Sequence, residues 1–457
     1  MDRIKAPDRE PRQSDTFRSY LAKETKPLPE ALRAPSTIDL ATVNVPIARY
    51  ISEEFADDEY EHVWSRVWQM ACRLEDIPEI GDRIRYDIGH RSAVVVRVSP
   101  TEVKAFVNAC LHRGRLLCEG MESGKELRCR FHGWTFGLDG RLNAVLDWDD
   151  FPHVKRSENT LPEVNVGLWG GFVFLNFADD PPPLLDQLEV IPDHFRDWHF
   201  DKRVKTVHVR KHLRCNWKVA IEAFIEGYHV IGTHPQLTPY AGEFEYRQFG
   251  RHVNLMLGLT GVPHPKYRDG LTETDIFTAM NRDFPYGAGG DVPEGKTARD
   301  IAFETMTATF KAMIGKDISE LSPNAVDYEI LDMFQYFIFP NLFVFGGFQS
   351  PIVYRILPGP NCDTCTMEII IMPISADGQD HGRIEPIDLG FDQRWSDCPA
   401  LGDSALVFDQ DTSNVEAVQA GMRASVRSHT QLSLYQESGI RLLHDTLSHY
   451  IGGGVAA

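Results

Sequence analysis

Residues 108–134 read NACLHRGRLLCEGMESGKELRCRFHGW, and this stretch decides the fold of the first part of the chain. It holds Cys110 and His112 as C-x-H and Cys129 and His132 as C-x-x-H, and a glycine follows each pair, Gly114 and Gly133. Cysteine and histidine are scarce here, so two such pairs at this separation point to ligands rather than to buried core residues. Each pair sits in a turn-rich segment after a strand-like run, so the four donors converge from two hairpin-like loop tips. Two thiolates and two imidazoles suit either a tetrahedral zinc ion or a two-iron, two-sulfur cluster with cysteines on one iron and histidines on the other. Cys118 lies in the intervening loop, outside the pattern, and reads as a packing cysteine.

Outward from these loops, residues 92–98 and 103–108 are β-branched runs. Residues 172–177 close the series before Asp179, Asp180 and three prolines, Pro181 to Pro183, mark a domain boundary. Upstream, residues 51–68 place apolar and aromatic side chains at helical spacing. Residues 1–38 are polar, proline-rich and aperiodic, which predicts an arm draped on the surface or on a neighbouring subunit. Downstream, 184–190, 216–231 and 299–314 read as helices, the last with Phe303, Met306, Phe310 and Met313 on one face. Residues 334–348, 352–357 and 366–372 read as strands, so the second part packs an antiparallel sheet against helices and the fold class is α+β.

A length of 457 residues gives room for two or three domains. Hydrophobic residues at 42% and charged residues at 25% exclude a disordered chain. The net charge of −19 repels phosphates and anionic bilayers, which sets nucleic acid and membrane surfaces aside as partners. No run approaches the roughly 18 apolar residues of a membrane span, and the first residues lack a signal-peptide core, so a soluble cytoplasmic protein is expected. Eight cysteines are too sparse for a disulfide framework.

A second constellation lies in residues 216–235, NWKVAIEAFIEGYHVIGTHP. On a helix, Glu222, Glu226 and His229 are offset by four, three and seven positions and share one face. His234 follows His229 by five positions, about 140° around an ideal helix. Both bind one ion only if the helix opens near Gly232 or ends before Pro235. Read alone, the segment is better explained as surface acids with satisfied histidines.

The two cluster loops resemble the Rieske family, whose C-x-H-R-G and C-x-x-H-G-W patterns are matched from Cys110 to Gly114 and from Cys129 to Trp134. By that resemblance Cys110 and Cys129 hold one iron of a [2Fe-2S] cluster and His112 and His132 the other. Residues 216–235 resemble the catalytic helix of Rieske non-haem iron oxygenases, with N-W-K and E-x-Y-H-x-x-x-x-H at Glu226, Tyr228, His229 and His234. In that family two histidines and a later carboxylate form a facial triad on a mononuclear Fe(II). Asp411, in VFDQDTSNVEAVQAGM with Glu416 and Gln419 following, is the carboxylate this resemblance selects over Asp409 and Asp403. The family's acid before the first histidine bridges that ligand to the second cluster histidine of an adjacent subunit. This gives Glu226 a link from His229 to His132 and implies a head-to-tail homotrimer. The usual aspartate is replaced by Glu226, and the family's frequent asparagine by Ala223.

The resemblance covers residues 45–450 and implies an arm over 1–38, an N-terminal helical part of the catalytic domain over 39–66, a Rieske β-domain over 67–180 and a helix-grip catalytic domain over 181–457. It further implies the terminal oxygenase, or large subunit, of a multicomponent system. A ferredoxin or flavin reductase carries electrons from NAD(P)H, and a small β-subunit is an optional partner. The expected reaction is hydroxylation of an apolar, aromatic substrate with O2, as cis-dihydroxylation or monooxygenation. The alternative is an electron-transfer or zinc-binding protein without oxygenase activity.

Other motifs are set aside. GDVPEGKT at 290–297 fits the P-loop pattern, but no strand-like run precedes it and Asp291 and Glu294 put negative charge in the cradle. Cys362 and Cys365 read as exposed thiols in a turn, and His252, His264, His444 and His449 lack ligand spacing. Phe337, Phe339, Phe343, Phe345 and Phe348 read as sheet core that partly lines a cavity, and 258–297 as a lid or a surface insertion.

Overall fold

The computed structural model describes residues 15–33, 44–283, 286–287, 289–375 and 382–452. The chain divides into two units, Asp57–Gln187 and the remainder, Met1–Ala56 with Leu188–Ala457. Among the described residues no helix is long and apolar enough to cross a membrane.

In the Asp57–Gln187 unit, seven strands form one antiparallel sheet in the spatial order Gln69–Arg73, Phe172–Asn176, Glu163–Trp169, Val103–Val107, Arg91–Arg97, Arg83–Ile88 and Met121–Glu122. A three-stranded sheet of Leu127–Arg128, Thr135–Phe136 and Leu142–Ala144 carries the second cysteine–histidine loop. The consecutive residues Ala93, Val94, Val95 and Val96 are all buried, so this strand is covered on both faces and needs no polar alternation. Val94, Val96 and Phe106 join Leu127, Phe136 and Leu142 in one core beneath both loops, with Cys118 packed among them as its position predicted.

In the larger unit, eight strands form the second sheet in the order Ala241–Phe249, Val253–Thr260, Met333–Ile338, Leu342–Gly346, Ile352–Pro358, Cys365–Ile371, Val207–Leu213 and Ile387–Leu389. All pairs are antiparallel except the last, which is parallel. The Trp217–Glu222 helix lies on strands Ile352–Pro358 and Cys365–Ile371, and the 21-residue Ser404–Ala424 helix packs against it. The mixed α+β class expected from the sequence is the class observed.

Several expectations are corrected. Where it is described, the 1–38 segment is largely exposed but neither irregular nor loose: Asp15–Leu21 and Glu30–Arg33 are helical, Phe17, Ala31 and Leu32 are buried, and Arg247 donates to the Ala31 carbonyl at 3.0 Å. Residues 1–14 and 34–38 lie outside the described residues. The single helix expected over 216–231 ends at Glu222 and resumes only as Val230–Thr233. The run 334–348 is a hairpin of two strands. Within 258–297, the Glu273–Asp283 helix buries Ile276, Phe277 and Met280 against Tyr240 and Ala302, so this part is core rather than a lid or surface insertion. Thr297 is the N-cap of Ala298–Ile314, its hydroxyl accepting from the Asp300 N–H, so the end of the P-loop-like motif is a helix cap. Cys362 and Cys365 are buried, not exposed, because Cys365 opens a strand paired with Leu213 and its Sγ lies 3.7 Å from that of Cys215.

Candidate functional site

The two loops of the smaller unit are built alike. The Cys110 N–H donates to the Arg115 carbonyl and the Gly114 N–H returns to the Cys110 carbonyl, both at 2.8 Å. The Cys129 N–H donates to Trp134 at 2.8 Å, and the Gly133 N–H returns to Cys129 at 3.0 Å. Each closure needs a left-handed residue, supplied by Gly114 at φ 75° and Gly133 at φ 71°. Asn108, which the ligand pattern did not single out, pins the segment between the loops. Its Oδ1 accepts the Leu117 and Cys118 N–H groups, each at 2.9 Å.

The four donors pair as thiol with thiol and imidazole with imidazole. Cys110 and Cys129 share a hydrogen bond, and the rings of His112 and His132 stand 4.6 Å apart. Burial pushes the Cys110 thiol up to about 11, against the backbone N–H of His112, while N–H groups of Phe131 and His132 outweigh burial and hold Cys129 below its ordinary value. The His112 ring stacks on Trp134 at 5.1 Å, and its buried Nδ1 has no hydrogen-bond partner. A buried ring nitrogen with no hydrogen-bond partner is the donor a metal-ligating imidazole offers.

In the larger unit, the break after Glu222 builds the second site. Glu226 accepts the backbone N–H of His229 on its own carboxylate at 3.0 Å, taking the donor that a continuing helix would give to a carbonyl. Gly227 sits so close to Phe244 that a Cβ there would lie 2.2 Å from its ring, and its N–H goes to the Tyr246 hydroxyl at 2.8 Å. The chain therefore turns between Glu222 and Val230, and the Val230–Thr233 helix ends before Pro235, one of the two expected breaks, so His229 and His234 face one point without an opening at Gly232.

The third donor comes from the Ser404–Ala424 helix. Donor atoms of His229, His234 and Asp411 lie within 4.8 Å of one another. Asp411 Oδ1 is 2.7 Å from His234 Nε2 and 3.5 Å from His229 Nε2. Asp409 is committed elsewhere, to Arg394 and the Trp395 N–H, and Asp403 stands at the helix N-cap. The outer nitrogens are also engaged: His229 Nδ1 meets Glu226 Oε1 at 2.7 Å and His234 Nδ1 meets Gln410 Oε1 at 2.8 Å. Burial opposes protonation of His229, but the Glu226 hydrogen bond and charge outweigh it and raise its pKa above the ordinary value. Glu416 and Gln419 do not reach the cluster; they accept the Arg214 and Asn216 N–H groups and fix the start of the Trp217–Glu222 helix.

Beside this cluster, Tyr354 is ringed by Phe224, Phe343, Phe345 and Phe408, with centroids 5.4 to 5.9 Å away. Burial first, and the charge of Asp411 second, push the Tyr354 hydroxyl upward. Behind the helix, Glu222 accepts from Tyr50 at 2.8 Å and contacts His444 Nε2 at 2.8 Å, so His444 is a partner of the helix rather than a stray residue. Gln410 and Tyr354 carry no ligand chemistry, which is why spacing arguments pass over them.

Comparison with known proteins gives two family matches. Residues 195–453 match the ring hydroxylating alpha subunit (catalytic domain), and residues 67–153 match the Rieske [2Fe-2S] domain. The glycine betaine monooxygenase oxygenase subunit of Pseudomonas aeruginosa is 30% identical over 201 residues, 42% of this chain and 45% of that protein. The biphenyl 2,3-dioxygenase alpha subunit of Rhodococcus jostii is 28% identical over 195 residues, 41% of this chain and 42% of that one. The chain thus spans about half the length of the curated relatives it matches. In fold, a quaternary ammonium Rieske monooxygenase superposes at TM-score 0.64 with 16% identity, over 93% of this chain and 100% of the other. A naphthalene 1,2-dioxygenase superposes at 0.63 with 17% identity, over 90% and 93%.

Both matched regions imply metal centres, a Rieske [2Fe-2S] cluster and a mononuclear iron, and both donor sets fit. The orphaned His112 Nδ1 beside paired cysteines suits the cluster. Two Nε2 atoms and one carboxylate, their outer nitrogens already occupied, suit a facial iron site. With one match spanning more than half of the residues and the other spanning the cysteine–histidine loops, this chain belongs to the ring hydroxylating alpha-subunit family that carries a Rieske domain.

Proposed function

We propose that this chain is the terminal oxygenase component of a multicomponent Rieske system and hydroxylates a small substrate beside the His229, His234 and Asp411 cluster. The observation that carries this reading is the one-sided donor set. All three donors approach from the turn and the helix, while the aromatic wall around Tyr354 lies close by. When bound, the iron supplies open positions for dioxygen, and the cluster supplies electrons received from a ferredoxin or flavin reductase. His229, His234 and Asp411 hold the ion; Cys110, His112, Cys129 and His132 hold the cluster. Glu226 orients His229, and its reach toward His132 of a neighbouring copy in a homotrimer is part of the same proposal.

The apolar rings of Phe224, Phe343, Phe345 and Phe408 exclude water and pack against substrate. Their chemistry favours an apolar, aromatic substrate held by edge and face contacts. A second reading, a quaternary ammonium headgroup, is favoured by the glycine betaine and carnitine monooxygenases among the relatives, and the same rings would hold such a cation by its charge. The test is oxygen uptake by the reconstituted oxygenase with a reductase, screened against aromatic hydrocarbons and against betaines. Uptake coupled to a hydroxylated product with one set assigns the substrate class. NAD(P)H oxidation without substrate oxygenation in either set, by protein carrying both metals, supports the electron-transfer alternative.

A further inference from the structure

The mechanism so far uses Glu226 as the partner of one histidine and leaves the other unassigned. Gln410 immediately precedes Asp411 on the Ser404–Ala424 helix, and its Oε1 accepts from both His234 Nδ1 and Gln236 Nε2 at 2.8 Å. His234 is 2% exposed, so no water stands in for that acceptor. Gln410 and Gln236 also border an open cavity of about 670 Å3, which makes this amide pair the layer between solvent and the back of the ring.

We infer that Gln410 is a second positioning residue of the iron site, doing for His234 what Glu226 does for His229. It fixes the His234 proton on Nδ1 so that Nε2 presents its lone pair beside Asp411. Gln410 Oε1 can only accept, so Nδ1 carries the proton, and Nε2, which faces Asp411 Oδ1 at 2.7 Å, is then the nitrogen that ligates an ion held between the two. The choice of an amide is itself meaningful. Asp411 and Glu226 already match the two charges of a ferrous ion, so a neutral acceptor orients His234 without adding a third anion. One helical segment thereby delivers a ligand and the partner of another ligand, and register errors in the helix would disturb both. A second tie from the same helix, Asn414 Nδ2 to Thr233 Oγ1 at 3.2 Å, docks the turn without touching the ring and separates positioning from docking.

This inference rests on the iron-site reading above, and the experiment separates the two. Cobalt(II) is titrated into protein with an intact cluster but no mononuclear metal, following its visible ligand-field bands. Gln410→Leu, which keeps the volume facing the cavity, and Gln410→Asn, which withdraws the oxygen by one methylene, are expected to weaken binding roughly ten- to hundredfold and alter the bands. Asn414→Ala is expected to bind as wild type does. Should Gln410→Leu fail to fold, Gln410→Asn decides. Wild-type affinity and bands in a folded Gln410→Asn variant, or an equal loss in Asn414→Ala, would overturn the inference. Wild-type binding by Asp411→Ala would instead sink the iron-site reading itself.

Discussion

Glu226 grips His229 at two points, its Oε2 accepting the backbone N–H at 3.0 Å and its Oε1 meeting Nδ1 at 2.7 Å. One side chain thus ends a helix and orients a ring. Glu226→Ala removes both contacts, so mononuclear iron affinity is expected to fall roughly ten- to hundredfold while the cluster absorbance stays unchanged. Glu226→Gln keeps one of the two acceptors and should weaken iron binding less than Glu226→Ala does. Metal per chain after desalting, with the visible spectrum as control, checks both.

Asp411 and Asp409 lie two residues apart but have different partners. Asp411→Ala should abolish mononuclear metal binding and spare the cluster. Asp409→Asn, which loosens the hold on Arg394 and the Trp395 N–H, should keep the metal and lower stability by about 1 kcal/mol. Metal loss in the Asp409 variant alone would move the carboxylate ligand to that position.

Glu222 supplies a pH signature. Burial pushes its carboxyl up to about 8, against the lowering effect of the Tyr50 hydrogen bond and the Lys218 charge. The folded state therefore holds a proton that the unfolded chain releases near pH 4.5, and stability is lost as pH rises from there to about 8. Glu222→Gln cannot ionise and keeps an acceptor for Tyr50. Its melting temperature should exceed that of wild type at pH 8.5, and the gap should shrink toward pH 5. A gap of constant size across this range would contradict the assignment.

The loop glycines are predicted to behave differently from a helical one. Gly114→Ala and Gly133→Ala force a Cβ into left-handed backbone and should each cost about 1 to 2 kcal/mol. Gly232, in the short Val230–Thr233 helix with open space around it, should be neutral or stabilised on conversion to alanine. Thermal melts of the metal-loaded protein compare the three.

The cluster loops were legible because their ligands sit in short-range patterns, where a turn and a glycine fix the geometry within a few residues. Strands such as Arg91–Arg97 were legible from their valines. The helix break was not: it depends on the Glu226 side chain capturing a backbone donor and on the approach of Phe244 from a distant strand. Long-range pairing also hid Cys365, whose turn looked exposed until Leu213 covered it. The segment before residue 38 looked like an arm because its apolar residues show no period, although three of them, Phe17, Ala31 and Leu32, are buried. Asp411 stood out only through family resemblance, since an isolated aspartate carries no spacing signal, and Gln410 was invisible because glutamine is not a ligand.

The most direct test is iron and acid-labile sulfide per chain on anaerobically purified protein supplied with ferrous ion, with electron paramagnetic resonance after dithionite reduction. A terminal oxygenase predicts about three irons and two sulfides with a Rieske-type signal. Zinc without sulfide would contradict the account, and two irons with two sulfides and no uptake of a third would leave an electron carrier in its place.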